Sequence, residues 1–173
     1  LGAPDTWAKY DPDLFAGLAR LLRSAPQPSV SLIEGSELLP RATYHAVPVP
    51  DGRRERDAWR DDLLRAASGA DLVFVDPDNG IEVPSKPVGR KGSSKYVAWQ
   101  EVRAFWEAGC SLLIYQHFRR EPRDAFAGRL VAELRQRTGA RFSWAFRTPR
   151  VLFLLAAQER HARRFAEVAS LLL

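Results

Sequence analysis

The chain predicts a three-layer α/β/α domain whose sheet is mostly parallel and ends in an antiparallel β-hairpin. Three observations carry this expectation. Apolar runs at 71–76 and 111–115 are separated by a segment of helical period, as parallel strands joined by a right-handed crossover are. Amphipathic stretches at 53–68, 98–109 and 122–138 are placed to cover such a sheet. The last two strand-like runs, 141–147 and 151–156, are joined only by Thr148-Pro149-Arg150, too short for a crossover, so they pair as a hairpin.

Taken in order, Asp11-Pro12 opens a helix, with an acid at the N-cap and proline at the first helical position, and Leu14, Leu18, Leu21 and Leu22 give its apolar stripe. Ala25-Pro26-Gln27-Pro28 stops it. Short strands are expected at 29–33 and 42–47, the second broken by Pro48-Val49-Pro50-Asp51-Gly52. The charged helix 53–68 turns Trp59, Leu63 and Ala66 inward, and Gly109 and Gly139 close the next two helices. Phe142, Trp144 and Phe146 alternate with Ser143 and Ala145, and a final helix carries Ala162, Phe165, Ala166 and Ala169.

At 173 residues, 46% hydrophobic and 27% charged, the chain suits one globular domain spanning 1–173 with a core of its own. Methionine is absent throughout, so part of the natural amino terminus is expected to be missing. No apolar run approaches the roughly 18 residues of a membrane span, and no leader pattern is visible. A soluble, cytoplasmic protein without membrane association is expected. A single cysteine, Cys110, excludes an internal disulfide and a cysteine-based zinc site, and its apolar surroundings make it a core residue. A net charge of +5 favours polyanionic partners, a nucleic acid or a nucleotide, and leaves the oligomeric state open.

The chemistry is expected where the strand at 71–76 ends in Asp76-Pro77-Asp78-Asn79-Gly80, because open α/β sheets keep their sites at the carboxyl ends of their strands. Asp76, Asp78 and Asn79 are the first candidates, joined by Gln116 and His117 from the end of the neighbouring strand. A loop running to Lys95 follows. From 84 on it holds Lys86, Arg90, Lys91 and Lys95 and no acid, with Ser93, Ser94 and Tyr96 among its glycines. Backbone amides, hydroxyls and cations in such a loop suit a phosphate. The spacing is not that of a Walker A loop, and Tyr96 stands where a serine or threonine should follow the lysine. Arg119, Arg120 and Arg123 extend the basic edge. Arg135, Arg137, Arg141, Arg147 and Arg150 read as surface charge, and His45 and His161 as incidental.

The order strand, helix, strand, helix, hairpin across 70–157 resembles the second half of class I S-adenosylmethionine-dependent methyltransferases, a Rossmann-like fold. Asp76-Pro77-Asp78-Asn79 stands where that superfamily carries Asp/Asn-Pro-Pro-aromatic, with Asp78 replacing the second proline and no aromatic after it. Asp76-Pro77-Asp78-Asn79-Gly80-Ile81-Glu82, Gly89–Tyr96 and Tyr115-Gln116-His117-Phe118 together resemble a set of poorly characterised bacterial proteins with a methyltransferase-like fold. The resemblance implies methyl transfer from S-adenosylmethionine to a nucleic-acid base. Asp76 and the Pro77 carbonyl would accept from the target amine, and Glu34 and Gly35, at the exit of an early strand, would join Asp76 at the cofactor.

Two other classes fit the same residues. Asp76, Asp78 and Glu82, with His117, are hard ligands that could hold Mg2+ or Mn2+ for a nuclease or phosphoesterase. The lysine expected two residues after the acid in PD-(D/E)xK nucleases is missing, since Glu82 is followed by Val83-Pro84. The third class is a non-catalytic domain that binds nucleic acid or protein through its basic edge.

Overall fold

The structure is a computed structural model and describes residues 8–25 and 27–170. Its contacts divide the chain into two units, Leu1–Ala46 and Val47–Leu173. Each is described by itself.

In the amino-terminal unit, α1 (Pro12–Ser24) begins as expected, with the Asp11 carboxylate accepting from the Leu14 amide at 2.9 Å. The expected strand 29–33 is instead a helical turn, α2 (Ser31–Glu34). The Ser29 hydroxyl accepts from the Ser31 amide at 3.3 Å, and the Glu34 and Gly35 amides turn back to Val30 and Ser31. Local serine capping therefore overrides the extended pattern. Residues 42–47 form no strand either, so the apolar-polar alternation there has no sheet to join.

The second unit opens with α3 (Arg53–Ala66) and continues through β1 (Leu72–Val75), a 3₁₀ turn at Ser93–Lys95, α4 (Trp99–Glu107), β2 (Ser111–His117), α5 (Arg123–Thr138), β3 (Phe142–Arg147), β4 (Val151–Ala157) and α6 (Glu159–Ser170). Its four strands form an open mixed sheet in the order β1-β2-β4-β3. Among the pairings only β1–β2 is parallel, in register from Leu72 opposite Ser111 to Val75 opposite Ile114. The last strand inserts antiparallel between β2 and β3. β1, β2 and β3 therefore run in one direction and β4 against them, a mixed sheet with the last strand reversed as expected, while the two amino-terminal runs that would have extended it are not strands. At the hairpin tip the Thr148 amide and hydroxyl engage the backbone of Val151, which fixes the turn.

Leu112, Ile114, Leu152, Leu154 and Ala156 form the packed centre of the sheet, against Val102 and Phe105 of α4 and Phe126, Leu130 and Leu134 of α5. Each large apolar side chain among them contributes about 1.5–3 kcal/mol through its burial. Two positions differ from the helical and strand patterns. On α3, Ala66 is exposed and the inward residues are Arg56, Leu63, Leu64 and Ala67, with Trp59 half-buried and its indole donating to the Val47 carbonyl. On β3, Ser143 is buried while Phe142, Trp144 and Phe146 are half-buried. Arg135, expected as surface charge, holds α5 to β3 by donating to the Ser143 hydroxyl at 2.6 Å and its carbonyl at 3.0 Å.

Candidate functional site

Asp76 lies one residue beyond β1 and His117 is the last residue of β2, so parallel pairing brings both to the same carboxyl edge. Partial burial there, helped by the neighbouring Asp78 carboxylate, raises the Asp76 carboxyl above the usual range, and His117 partly offsets it. Asp76 remains open to solvent on its other side. A carboxyl of this kind suits proton exchange or acceptance from an amine. Asp78 stands exposed, 3.9 Å from the Lys95 ammonium, and the Asn79 amide donates to the Lys95 carbonyl at 2.9 Å. The Pro77 carbonyl, expected to face a substrate amine, already accepts from the Gly80 amide at 3.2 Å.

Gln116 is buried and bonded to the backbone. Its carbonyl oxygen accepts from the Ile81 amide at 2.8 Å and its amide donates to the His117 carbonyl at 2.8 Å. Alternation along β2 explains the difference, since Gln116 turns into the core while His117 turns out. Gly80, at φ +88°, packs directly on the Gln116 amide.

The loop after β1 is anchored from the start of α3. Asp51 accepts from the Gly92 and Ser94 amides, each at 2.7 Å, and its carbonyl accepts from Gly89 at 3.0 Å. Arg53 donates to the Val88 carbonyl at 3.0 Å. Arg56 donates to the Ser93 carbonyl at 2.9 Å and to that of Tyr96, while its guanidinium pairs with Glu101 in the interior. Ser93 and Ser94 were expected to cradle a phosphate. Their loop does form an anion nest, with Gly92 at φ +80°, but Asp51 occupies it and Ser93 is buried. Tyr96 is half-buried and its carbonyl is committed to Arg56.

These amides hold the Asp51 carboxyl down to about 2 from an ordinary 3.8. A carboxyl depressed in the folded state adds stability above its unfolded value, and that stability is lost as pH falls through the folded one. Hydrogen exchange at Gly92 and Ser94 should therefore accelerate as pH drops from about 4 to about 2, once intrinsic exchange is corrected for. In Asp51→Asn that step should vanish. A step unchanged by the substitution would mean that Asp51 does not hold the loop.

Glu82 does not join Asp76 and Asp78. Its carboxylate caps α4, accepting from the Trp99 amide at 2.8 Å. Among the described residues no three of His, Cys, Asp and Glu come together as a metal site would require. Glu34 and Gly35 belong to the other unit and close the helical turn α2. The strand exit expected there beside S-adenosylmethionine is not formed. What the edge does bring together is Asp76, Asp78, Asn79, His117 and Lys95. Lys86, Arg90 and Lys91 are exposed on the same loop, and Arg119, Arg120 and Arg123 beyond β2. Arg123 lies over the Phe118 ring at 5.0 Å.

Sequence reasoning missed three features. Asp51 sits in what reads as a breaker. Arg56 falls in line with the inward stripe of α3, where a cation demands a buried partner, and this spacing was the available signal. His161, read as incidental, lies 2.9 Å from the Ser111 hydroxyl and 3.0 Å from the Asp71 carboxylate, tying α6 to the starts of β1 and β2. The trio has the residue types of a hydrolase triad, but Ser111 is fully buried and accepts from the Gln158 amide at 3.0 Å, so it is a structural tie. Cys110 is buried as expected, and burial pushes its thiol up.

No protein-family model, curated protein or solved structure matches the chain at a significant level. No helix among the described residues is long and apolar enough to cross a membrane.

Proposed function

We propose that the unit from Val47 onward binds nucleic acid through the basic carboxyl edge of its sheet, on a scaffold resembling half of a Rossmann-like methyltransferase. The observation that carries this reading is the anchored loop. Asp51, Arg53 and Arg56 fix its backbone while Lys86, Arg90, Lys91 and Lys95 stay exposed. Cations on a preorganised backbone lose less entropy on meeting a phosphate chain than cations on a floppy one. With the backbone nest taken by Asp51, phosphates would meet side chains, and Asp76 and Asn79 would face the bases.

A second reading, methyl transfer to an exocyclic amine, draws on the strand order β1-β2-β4-β3, with its reversed strand inserted, and on the raised Asp76 carboxyl. Retention on a single-stranded oligonucleotide at graded salt tests the first. Neutralising Arg90, Lys91 and Lys95 together should reduce the salt slope by about 3 × 0.7, the single-strand value per phosphate contact, while Asp76→Asn leaves it unchanged. Retention insensitive to salt and to these cations would refute the binding reading. Calorimetric binding of S-adenosylmethionine to the intact chain would replace binding alone with the second reading.

A further inference from the structure

A cavity of ≈ 350 Å³ lies between the loop segment 81–87 and helices α4 and α5, walled by Ile81, Val83, Pro84, Trp99 and Leu130. Three arginines and two glutamates line it: Arg119, Arg129 and Arg137 against Glu82 and Glu133. We infer that this cavity is a binding site for a single nucleotide, a phosphate-bearing planar base.

The guanidinium groups are already placed. Arg137 lies on the Trp99 ring at 4.9 Å and is held by Glu133 at 2.9 Å, with its side chain 46% exposed. The side chain is therefore about half open, and guanidinium planes stack bases as aromatic rings do. Arg129 is held by Glu121 at 2.8 Å and lies over Phe126. Arg119 is exposed at the mouth, 5.9 Å from the Phe126 ring. It is the arginine best placed to take a phosphate in a two-pronged contact.

The apolar walls and small volume select against a bare inorganic anion and against a bulky ligand, since the cavity falls at the lower end of the about 300–1,000 Å³ usual for small-molecule sites. Glu82 uses one carboxylate oxygen on the Trp99 amide. Its second oxygen is an acceptor for an exocyclic amine. An adenine or cytosine nucleotide satisfies stacking, phosphate and amine contacts together.

The cavity shares Arg119 with the basic edge, but Lys86, Arg90, Lys91 and Lys95 do not line it. Calorimetric titration of the full chain with adenosine 5′-monophosphate should show saturable binding at one site, with adenosine, ribose 5-phosphate and inorganic phosphate each at least tenfold weaker. Arg119→Ala, at an exposed position, should weaken nucleotide binding about tenfold or more, and Arg137→Lys, which keeps the charge and loses the plane, by a similar factor. Neutralising Arg90, Lys91 and Lys95 should leave it unchanged while weakening oligonucleotide retention, so the two sites fail independently. Absence of saturable binding, or wild-type affinity in both Arg119→Ala and Arg137→Lys, would overturn the inference. Equal affinity for inorganic phosphate would do the same.

Discussion

Arg56→Ala should lower the unfolding free energy by about 3–5 kcal/mol, the range measured when one partner of a buried ion pair is removed. Arg56 and Glu101 are 1% and 2% exposed, and they meet at 2.5 Å. Truncating the arginine strands the Glu101 carboxylate in the interior, where only the Ala98 amide, at 2.8 Å, would still answer it. It also leaves the Ser93 and Tyr96 carbonyls without their guanidinium donor. Urea unfolding followed by circular dichroism reads the loss. The double variant Arg56→Met/Glu101→Leu removes the stranded charge and should recover part of it, but not the share due to the two carbonyls. A loss below about 1 kcal/mol in Arg56→Ala would show that water reaches the pair and that the loop is not clamped through it.

The second large effect belongs to Gly80. At φ +88° an L side chain costs about 1–2 kcal/mol by itself. A β-carbon there would also overlap the buried Gln116 amide, which could yield only by releasing its bonds to Ile81 and His117. Gly80→Ala should therefore cost about 2–4 kcal/mol, strain and lost hydrogen bonds together. Gly69 is the internal control, since it has φ +81° and no atom within 4 Å of the place a β-carbon would take. Gly69→Ala isolates the conformational cost, and the excess in Gly80→Ala measures the overlap. Equal losses would mean that Gln116 does not pin the strand-to-loop junction.

Much of the second unit was legible because its signals are local and redundant. The helix stripes, the glycines at 109 and 139 and the hairpin each rest on residues close in sequence. The strand β1 was recognisable from an apolar run ending on Asp76-Pro77, and its edge position follows from the missing neighbours at 29–33 and 42–47. Those two were misread for a physical reason: strand propensity is realised only against a partner strand, and Ser29 and Ser31 offered the backbone a nearer alternative. At the candidate site, the placement of Asp76 and His117 could be read from the parallel pairing of two apolar runs. The roles of Gln116, Glu82, Ser93 and Ser94 could not. Each is decided by a partner far along the chain, Gln116 by Ile81, Glu82 by Trp99 and the serines by Asp51, and composition carries no trace of such pairings.

The position of the final strand has a bearing on synthesis. β4 is made after the other strands among the described residues, yet it lies between β2 and β3 and gives both of them their antiparallel partner. A nascent chain that has reached residue 147 holds only the short parallel pair β1–β2, and two strands alone are marginal in water. Ser111 then waits for Gln158 and His161, 47 and 50 positions further on, before its hydroxyl has both its partners in the interior. The sheet accordingly closes in one step once β4 and α6 have been made, with the hairpin and α6 arriving together as the pieces that complete it.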